Sequence, residues 1–297
     1  MGVTVLEVIQ RSTEYLAQKG VESPRLQSEL LLAHVLKLPR LQLYLSFDRL
    51  LHPDELEAAR GLVKRRGQRE PLQHLLGTVS FCGLELVVTS AVLIPRPETE
   101  LLAERAWQRL NSQSTESPLI PAVLDYGTGS GCLAIALAVH CSAARVTAVD
   151  ISADALAVAR ANAGRHRLAE RIEFLCGDGF QTLPEGADFD LIVANPPYIP
   201  SAEIDTLEPE VRQHDPRLAL DGGPDGLDFY RRLAGEAGRF LRMGGHLMME
   251  FGDAQDEPLQ ELFASPRWKV VSFERDLAGR PRILTVGRGS SQVLFLT

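Results

Sequence analysis

The 297 residues are 45% hydrophobic and 24% charged with a formal net charge of −8, the profile of a globular protein long enough for two domains with sizeable cores. The acid is unevenly spread: residues 1–78 hold 11 Lys and Arg against 9 Asp and Glu, leaving 20 against 30 in the remainder, so no stable nucleic-acid binding is expected, because a long duplex needs a basic track. No apolar run reaches the roughly 18 residues of a membrane span, and the N-terminus has neither a signal h-region nor a transit composition; a cytoplasmic protein with no membrane association is expected.

In chain order, residues 1–78 spell a helical domain. Thr4 is placed to cap a helix that carries Val5, Val8, Ile9 and Leu16 and stops at Gly20. Ser23-Pro24 supplies a cap and a first-turn proline for a second helix, with Leu26, Leu30, Leu31 and Val35 as its buried stripe and Pro39 as its end. Leu41, Leu43, Leu45 and Phe47 are expected to pack a short segment. Pro53 opens another helix whose basic last turn, Lys64-Arg65-Arg66, suits the helix dipole and is expected to be a solvated end before Gly67.

Thr78 to Ile94 alternates, is rich in Val and has Cys82-Gly83 near its middle, the pattern of a hairpin; residues 79–95 are expected to link the small domain to a catalytic domain of residues 96–297. Pro97 to Glu100 opens a helix through Leu101, Leu102 and Trp107, and Ser112 to Pro121 is expected to be a polar turn. From Ala122 onward strand, turn and helix repeat, which marks a doubly wound α/β domain. Seven strands are expected, at 123–125, 145–149, 172–175, 190–194, 246–250, 269–273 and 283–286. The last two are too close for a helical crossover, so the final strand should run antiparallel to its neighbour. Cys82, Cys132, Cys141 and Cys176 have no ligand spacing and are expected to be buried free thiols; the scattered histidines form no HExxH, and no metal is expected.

Two stretches carry chemistry. Gly127-Thr128-Gly129-Ser130-Gly131 lies between a strand and the helix of Leu133, Ile135 and Leu137, and Asp150 ends the next strand, where a carboxylate can accept both hydroxyls of a ribose. That pair signals an adenosine-containing cofactor. The glycines alone also satisfy the loose dinucleotide fingerprint, but Asp125 before them is placed to meet a cationic amino group, Asp178-Gly179 follows a third strand near an adenine, and Asn195 ends a fourth, which favours S-adenosyl-L-methionine.

The second stretch is Asn195-Pro196-Pro197-Tyr198, directly after an apolar strand that Pro196 cannot continue. Each proline fixes its own φ and restricts the residue before it, so the turn is rigid in advance. The Asn195 side-chain oxygen and the Pro196 carbonyl can hold the two hydrogens of a planar NH2 group and leave its lone pair facing a methyl donor, while Tyr198 stacks on the flat substrate. Asn-Pro-Pro is also an ordinary loop punctuator.

The chain resembles the HemK/PrmC type of protein-(glutamine-N5) methyltransferase that modifies peptide chain release factors. The resemblance runs over nearly the whole length: Ser23-Pro24-Arg25, Glu70-Pro71, His74-Leu75 and Gly77, the segment from Leu93 to Glu100, the glycine turn, Asn195 to Tyr198, and Pro216 to Leu220 with Gly222-Gly223 and Asp225-Gly226. It implies a class I S-adenosylmethionine-dependent methyltransferase fold, Rossmann-like with a seven-stranded mostly parallel sheet, preceded by a helical domain that recognises the release factor. It implies a methyl group passed to the glutamine of a Gly-Gly-Gln loop, with S-adenosyl-L-homocysteine as product, a step of translation termination. Gly127 to Gly131, Asp150, Asp178, Gly179 and Asn195 would hold the cofactor, and Asn195, Pro196, Pro197 and Tyr198 the amide. Tyr126 and Gly179 depart from the pattern, since a small or aliphatic residue is usual at the first position and a bulkier one at the second, and Phe180 is the substitute for an adenine contact. The alternative within enzymes is an adenine-N6 methyltransferase acting on nucleic acid, which the same acceptors would serve.

Overall fold

A computed structural model describes residues 2–114 and 120–289, so part of the expected polar turn lies outside the described residues. The chain divides into two compact units, one of Met1–Thr78 with Leu207–His214, the other of Val79–Thr206 with Asp215–Thr297.

The first unit is helical. Helix α1 (Val5–Gln18) starts in a capping box: Glu7 N–H donates to the Thr4 hydroxyl and Thr4 N–H donates to the Glu7 carboxylate at 2.8 Å. In α2 (Pro24–Leu36) the expectation fails in two places. Ser23 occupies the cap position with φ +46 and no side-chain hydrogen bond, and Leu26 is 43% exposed. The buried face is instead Leu31, Leu32 and Ala33 with Ser28 and Glu29, because Glu29 is drawn inward by Arg25, Arg40 and the Tyr44 hydroxyl. Leu41 and Leu45 are also exposed: residues 40–43 form a helical turn, α3 (Arg40–Leu43), so alternate residues point to opposite sides and Leu43 alone of the three leucines is buried.

Helices α4 (Pro53–Gly67) and α5 (Leu72–Leu76) follow, and the short α9 (Pro209–Arg212) belongs to the same unit. The basic end of α4 is not simply solvated. Arg66 is buried and donates to Gln27 Oε1 at 2.5 Å and to Glu210 at 2.8 Å, while Arg69 donates to Glu210 at 2.6 Å and to Glu208. Two acids more than a hundred positions downstream convert a charged helix end into an internal joint.

In the second unit, β1 (Thr78–Phe81) and β2 (Leu84–Val87) form a hairpin whose turn residues Cys82 and Gly83 both have positive φ, as a type I′ turn requires. The hairpin ends at Val87, short of Ile94. The side chain of Asn162 takes both main-chain groups of Val87, at 2.7 and 3.0 Å, in place of a further ladder partner, and Val88 and Val92 pack on Ala155 instead. Helix α6 (Pro97–Ser114) runs through Ser112 into the expected turn.

The large sheet holds β3 (Ala122–Tyr126), β4 (Arg145–Asp150), β5 (Ile172–Cys176), β6 (Phe189–Ala194), β7 (Leu241–Glu250), β8 (Trp268–Arg275) and β9 (Pro281–Arg288) in the order β5-β4-β3-β6-β7-β9-β8. It is parallel except at β9, which runs antiparallel to both β7 and β8: the seven-stranded, mostly parallel, Rossmann-like sheet of class I methyltransferases. Strand β7 begins five residues before the expected His246, with a register shift against β6 at Phe189/Leu191; Gly244 and Gly245 hide its first half from a propensity reading. Helices α6, α7 (Cys132–His140) and α8 (Ala153–Arg165) contribute to one core, and α10 (Asp228–Glu236) and α11 (Asp256–Leu262) to the other. All four cysteines are free, but only Cys141 is buried: Cys82 and Cys132 are partly buried, and Cys176 is exposed because it ends the edge strand β5. Among the described residues no helix is long and apolar enough to cross a membrane.

Candidate active site

A cavity opens at the carboxyl ends of β3, β4 and β6, where an open parallel sheet places its ligands. Its glycine end is made of main chain. Gly127 and Gly129 have φ +77 and +54, and a Cβ built on either meets no atom within 4 Å, so bare backbone faces the open space. The loop is pinned from below by Gly127 and Thr128 N–H donating to Val149 O at 2.9 and 3.0 Å. Asp150 lines the cavity with each carboxylate oxygen held by one amide, Gly129 N–H at 2.8 Å and Ser152 N–H at 2.9 Å. Each oxygen keeps a further lone pair for a hydroxyl.

Thr128, Ser130, Asp178 and Gly179 also line the cavity, whereas Gly131 does not: a Cβ there would lie 3.1 Å from Ala159 Cβ, so Gly131 lets α7 approach α8. Asp125 departs from expectation. It is fully buried and absent from the lining, accepting from Thr128 Oγ1 at 2.6 Å and Ala134 N–H at 3.0 Å, and burial pushes its carboxyl up to about 7 against those two hydrogen bonds. It braces the loop instead of meeting a ligand.

Asp178 stands two residues past β5, and Arg232 binds both its carboxylate and its main-chain carbonyl. The two departures from the family pattern compensate each other: a Cβ on Gly179 would sit 2.4 Å from the Tyr126 hydroxyl, so the Tyr126 ring fills the space that a larger residue at 179 would take. Phe180 is buried, stacked on Phe240 at 5.0 Å, and does not line the cavity.

The opposite end is made of side chains. In the β6–β7 register Ala194 pairs with Met249, which brings the next residues, Asn195 and Glu250, side by side. The first turn of α6 adds Thr99. Asn195 Nδ2 donates to Thr99 Oγ1 at 2.9 Å, and Thr99 Oγ1 donates to Glu250 Oε2 at 2.7 Å. Burial pushes Glu250 up to about 7, opposed by its bond to Thr99 and reinforced by nearby Glu98. Neither Asn195 Oδ1 nor the Pro196 carbonyl receives a protein donor among the described residues.

Asn195, Pro196 and Pro197 line the cavity; Tyr198 does not. The Tyr198 ring lies over Gly252, where a Cβ would be 2.9 Å from Cδ2, and burial pushes its phenol up to about 12. The loop that follows backs the turn: Ile199 N–H donates to Leu220 O at 3.0 Å, and Gly226, at φ +76, leaves no room for a Cβ, which would fall 2.3 Å from Tyr198 O.

The family described as PrmC N-terminal domain matches residues 7–77, and the methyltransferase small domain matches residues 108–214. The release factor glutamine methyltransferase of Geobacter sulfurreducens is 49% identical over 281 residues, covering 95% of each chain. The chain belongs to the release factor glutamine methyltransferase family. Another member, from Chlorobaculum tepidum, is 48% identical over 250 residues, covering 83% of this chain and 85% of that one.

Solved structures share the fold of this methyltransferase at low identity. The hMettl16 catalytic domain, in complex with an MAT2A 3'UTR hairpin, superposes with a TM-score of 0.55 at 15% identity over 78% of this chain and 82% of that one. A methyltransferase from Pyrococcus furiosus gives 0.51 at 18% identity over 71% and 92%. Within this methyltransferase, sequence reasoning missed Thr99, Glu250 and Arg232 as parts of the site. Thr99 and Glu250 were legible only as a helix start and a strand end. Arg96 lines the cavity and pairs with the buried Asp215 at 2.6 Å.

Proposed function

We propose that this methyltransferase passes a methyl group to the side-chain amide nitrogen of the glutamine in the Gly-Gly-Gln loop of peptide chain release factors. The observation that carries the reading is the pair of acceptors without protein donors, Asn195 Oδ1 and the Pro196 carbonyl, on a turn that two prolines hold rigid beside the cavity. Two acceptors match the two hydrogens of a primary amide and leave its nitrogen lone pair to attack.

Gly127, Thr128, Gly129, Ser130 and Asp150 are the residues we assign to S-adenosyl-L-methionine, with Asp178 and Gly179 toward the adenine. The fit rests on the bare backbone at Gly127 and Gly129 and on the spare lone pairs of Asp150. When bound, that cofactor supplies an electrophilic methyl group and leaves as S-adenosyl-L-homocysteine. The chain's own part is to orient the amide at Asn195 and Pro196 and keep water from it, so catalysis comes from positioning. No residue is assigned as general base, because attack by the neutral amide nitrogen leaves an N-protonated methylamide, a cation acidic enough to lose its extra proton to a neighbouring carbonyl or to water. We assign recognition of the folded release factor to the helical domain of residues 1–78, joined through residues 79–95 to a catalytic domain of residues 96–297.

The test is mass spectrometry of a release factor incubated with the enzyme and S-adenosyl-L-methionine. The expected result is one added methyl group on the peptide containing Gly-Gly-Gln, abolished when that glutamine is replaced. Methyl incorporation into adenine of DNA, with none in the release factor, overturns the proposal.

A further inference from the structure

A primary amide such as Asn195 carries an acceptor on one edge and two donors on the other, and rotation about its last torsion exchanges them. Only one orientation can grip an NH2 group, and nothing within the Asn-Pro-Pro turn selects it. The selecting contacts come from α6 and β7: Nδ2 donates to Thr99 Oγ1, which donates to Glu250 Oε2, and the Glu250 carboxyl also draws on the Asn195 amide. Thr99 and Glu250 are each only 2% exposed, so water does not stand in for either. We propose that Glu250, acting through Thr99, is a positioning residue that turns the Asn195 oxygen toward the substrate amide, so that its ionisation sets whether the site can hold an NH2 group.

The direction follows from counting protons. An ionised Glu250 only accepts, so it takes the single hydroxyl proton of Thr99; Oγ1 is left with lone pairs, which the N–H edge of Asn195 satisfies, and Oδ1 faces out. A protonated Glu250 donates to Oγ1 instead, freeing the Thr99 proton for an Asn195 flipped the other way, whose NH2 then opposes the NH2 of the substrate. The groups facing Glu250 set the balance. Glu98 on α6 disfavours the ionised form and Arg282 on β9 favours it, the Tyr198 phenol lies close enough to be raised by Glu250, and Tyr230 on α10 donates to the Glu250 main-chain carbonyl at 2.8 Å, leaving the carboxyl alone. Burial, the largest influence, brings the acid to about 7. An amide nucleophile does not titrate in this range, so turnover should fall as pH drops below about 7 on account of Glu250.

The inference rests on the proposed reading, and its test separates the two. Turnover and KM on the release factor are measured between about pH 5.5 and about pH 9 for the wild type and for Thr99→Val, Thr99→Ser and Glu250→Gln, with calorimetric cofactor affinity and a melting curve for each. Thr99→Val keeps the shape and breaks the chain; it should lower kcat about tenfold or more, with cofactor affinity held within about threefold, and Thr99→Ser should restore it. Glu250→Gln cannot titrate, so the acid limb near pH 7 should vanish. Turnover of folded Thr99→Val within about twofold of wild type, or an acid limb unmoved in Glu250→Gln, overturns the inference. Either result leaves glutamine methylation by the wild type untouched, whereas failure of the function itself shows as no methylglutamine from any of the proteins.

Discussion

The two ends of the cavity are built by different means. At the glycine end the chain uses its own backbone: Gly127 to Ser130 and Asp150 lie within 24 positions of one another, and Asp150 is held by amides two and 21 residues away. At the Asn195 end the holding groups are side chains from three elements, with Asn195 reaching back 96 positions to Thr99 and Thr99 reaching forward 151 to Glu250. A site made of local backbone depends on the space that glycines leave. One made of distant side chains depends on which edge each presents.

That difference ranks the expected effects of substitution. The largest should come from a side chain in the glycine end. A Cβ at Gly129 meets no atom within 4 Å, so the side chain of Gly129→Val, held at φ +54, starts into open space, and cofactor affinity measured by calorimetry should fall roughly a hundredfold, about 3 kcal/mol. Unchanged affinity would break the claim that backbone forms this wall.

Asp150→Ala comes next, since it removes one charged partner and leaves the wall in place. At this half-buried carboxylate the loss should sit at the low end of what a charge-assisted hydrogen bond contributes, roughly 1.5 kcal/mol, so affinity should fall about tenfold or somewhat more. An effect as large as that of Gly129→Val would shift the weight from backbone to carboxylate.

Glu210→Ala sharpens the comparison from outside the cavity. It strips Arg66 and Arg69 of a shared partner and should cost the helical unit about 1–3 kcal/mol in a denaturation experiment, with cofactor affinity unchanged.

The smallest effect concerns the second buried acid. Asp125 lies above the ordinary carboxylate value, pushed up to about 7 by burial, so folding favours its protonated form: its contribution is full below about pH 4 and is lost as pH rises through about 7. Asp125→Asn keeps an acceptor for Thr128 and Ala134 without titrating. Its melting temperature should therefore fall less than that of the wild type between about pH 5 and about pH 8; parallel curves would contradict the burial argument.

The same contrast explains what could be read in advance. The seven strands, the antiparallel β9 and the glycine wall follow from patterns a few residues long, and so does the Asn195 turn. The linkage of Thr99, Asn195 and Glu250 has no local signature, because it depends on the β6–β7 register and on where α6 starts. Leu26, Leu41 and Leu45 misled for a related reason: apolar residues can be identified without their phase, which in α2 goes with the inward-facing Glu29 and in α3 with a helical turn that sends alternate residues to opposite sides. Tyr198 was assigned to the cavity by its place in the turn, yet the space over Gly252 receives its ring.

The most direct test of this division of labour is a single experiment on Asn195→Ala, with cofactor affinity by calorimetry and the single-turnover rate of glutamine methylation measured on the same preparation. The substitution removes an acceptor that orients the amide and leaves the glycine end intact, so affinity should stay within about threefold while the rate falls about a hundredfold. A parallel loss of affinity and rate, or a rate within about twofold of the wild type, would contradict the account.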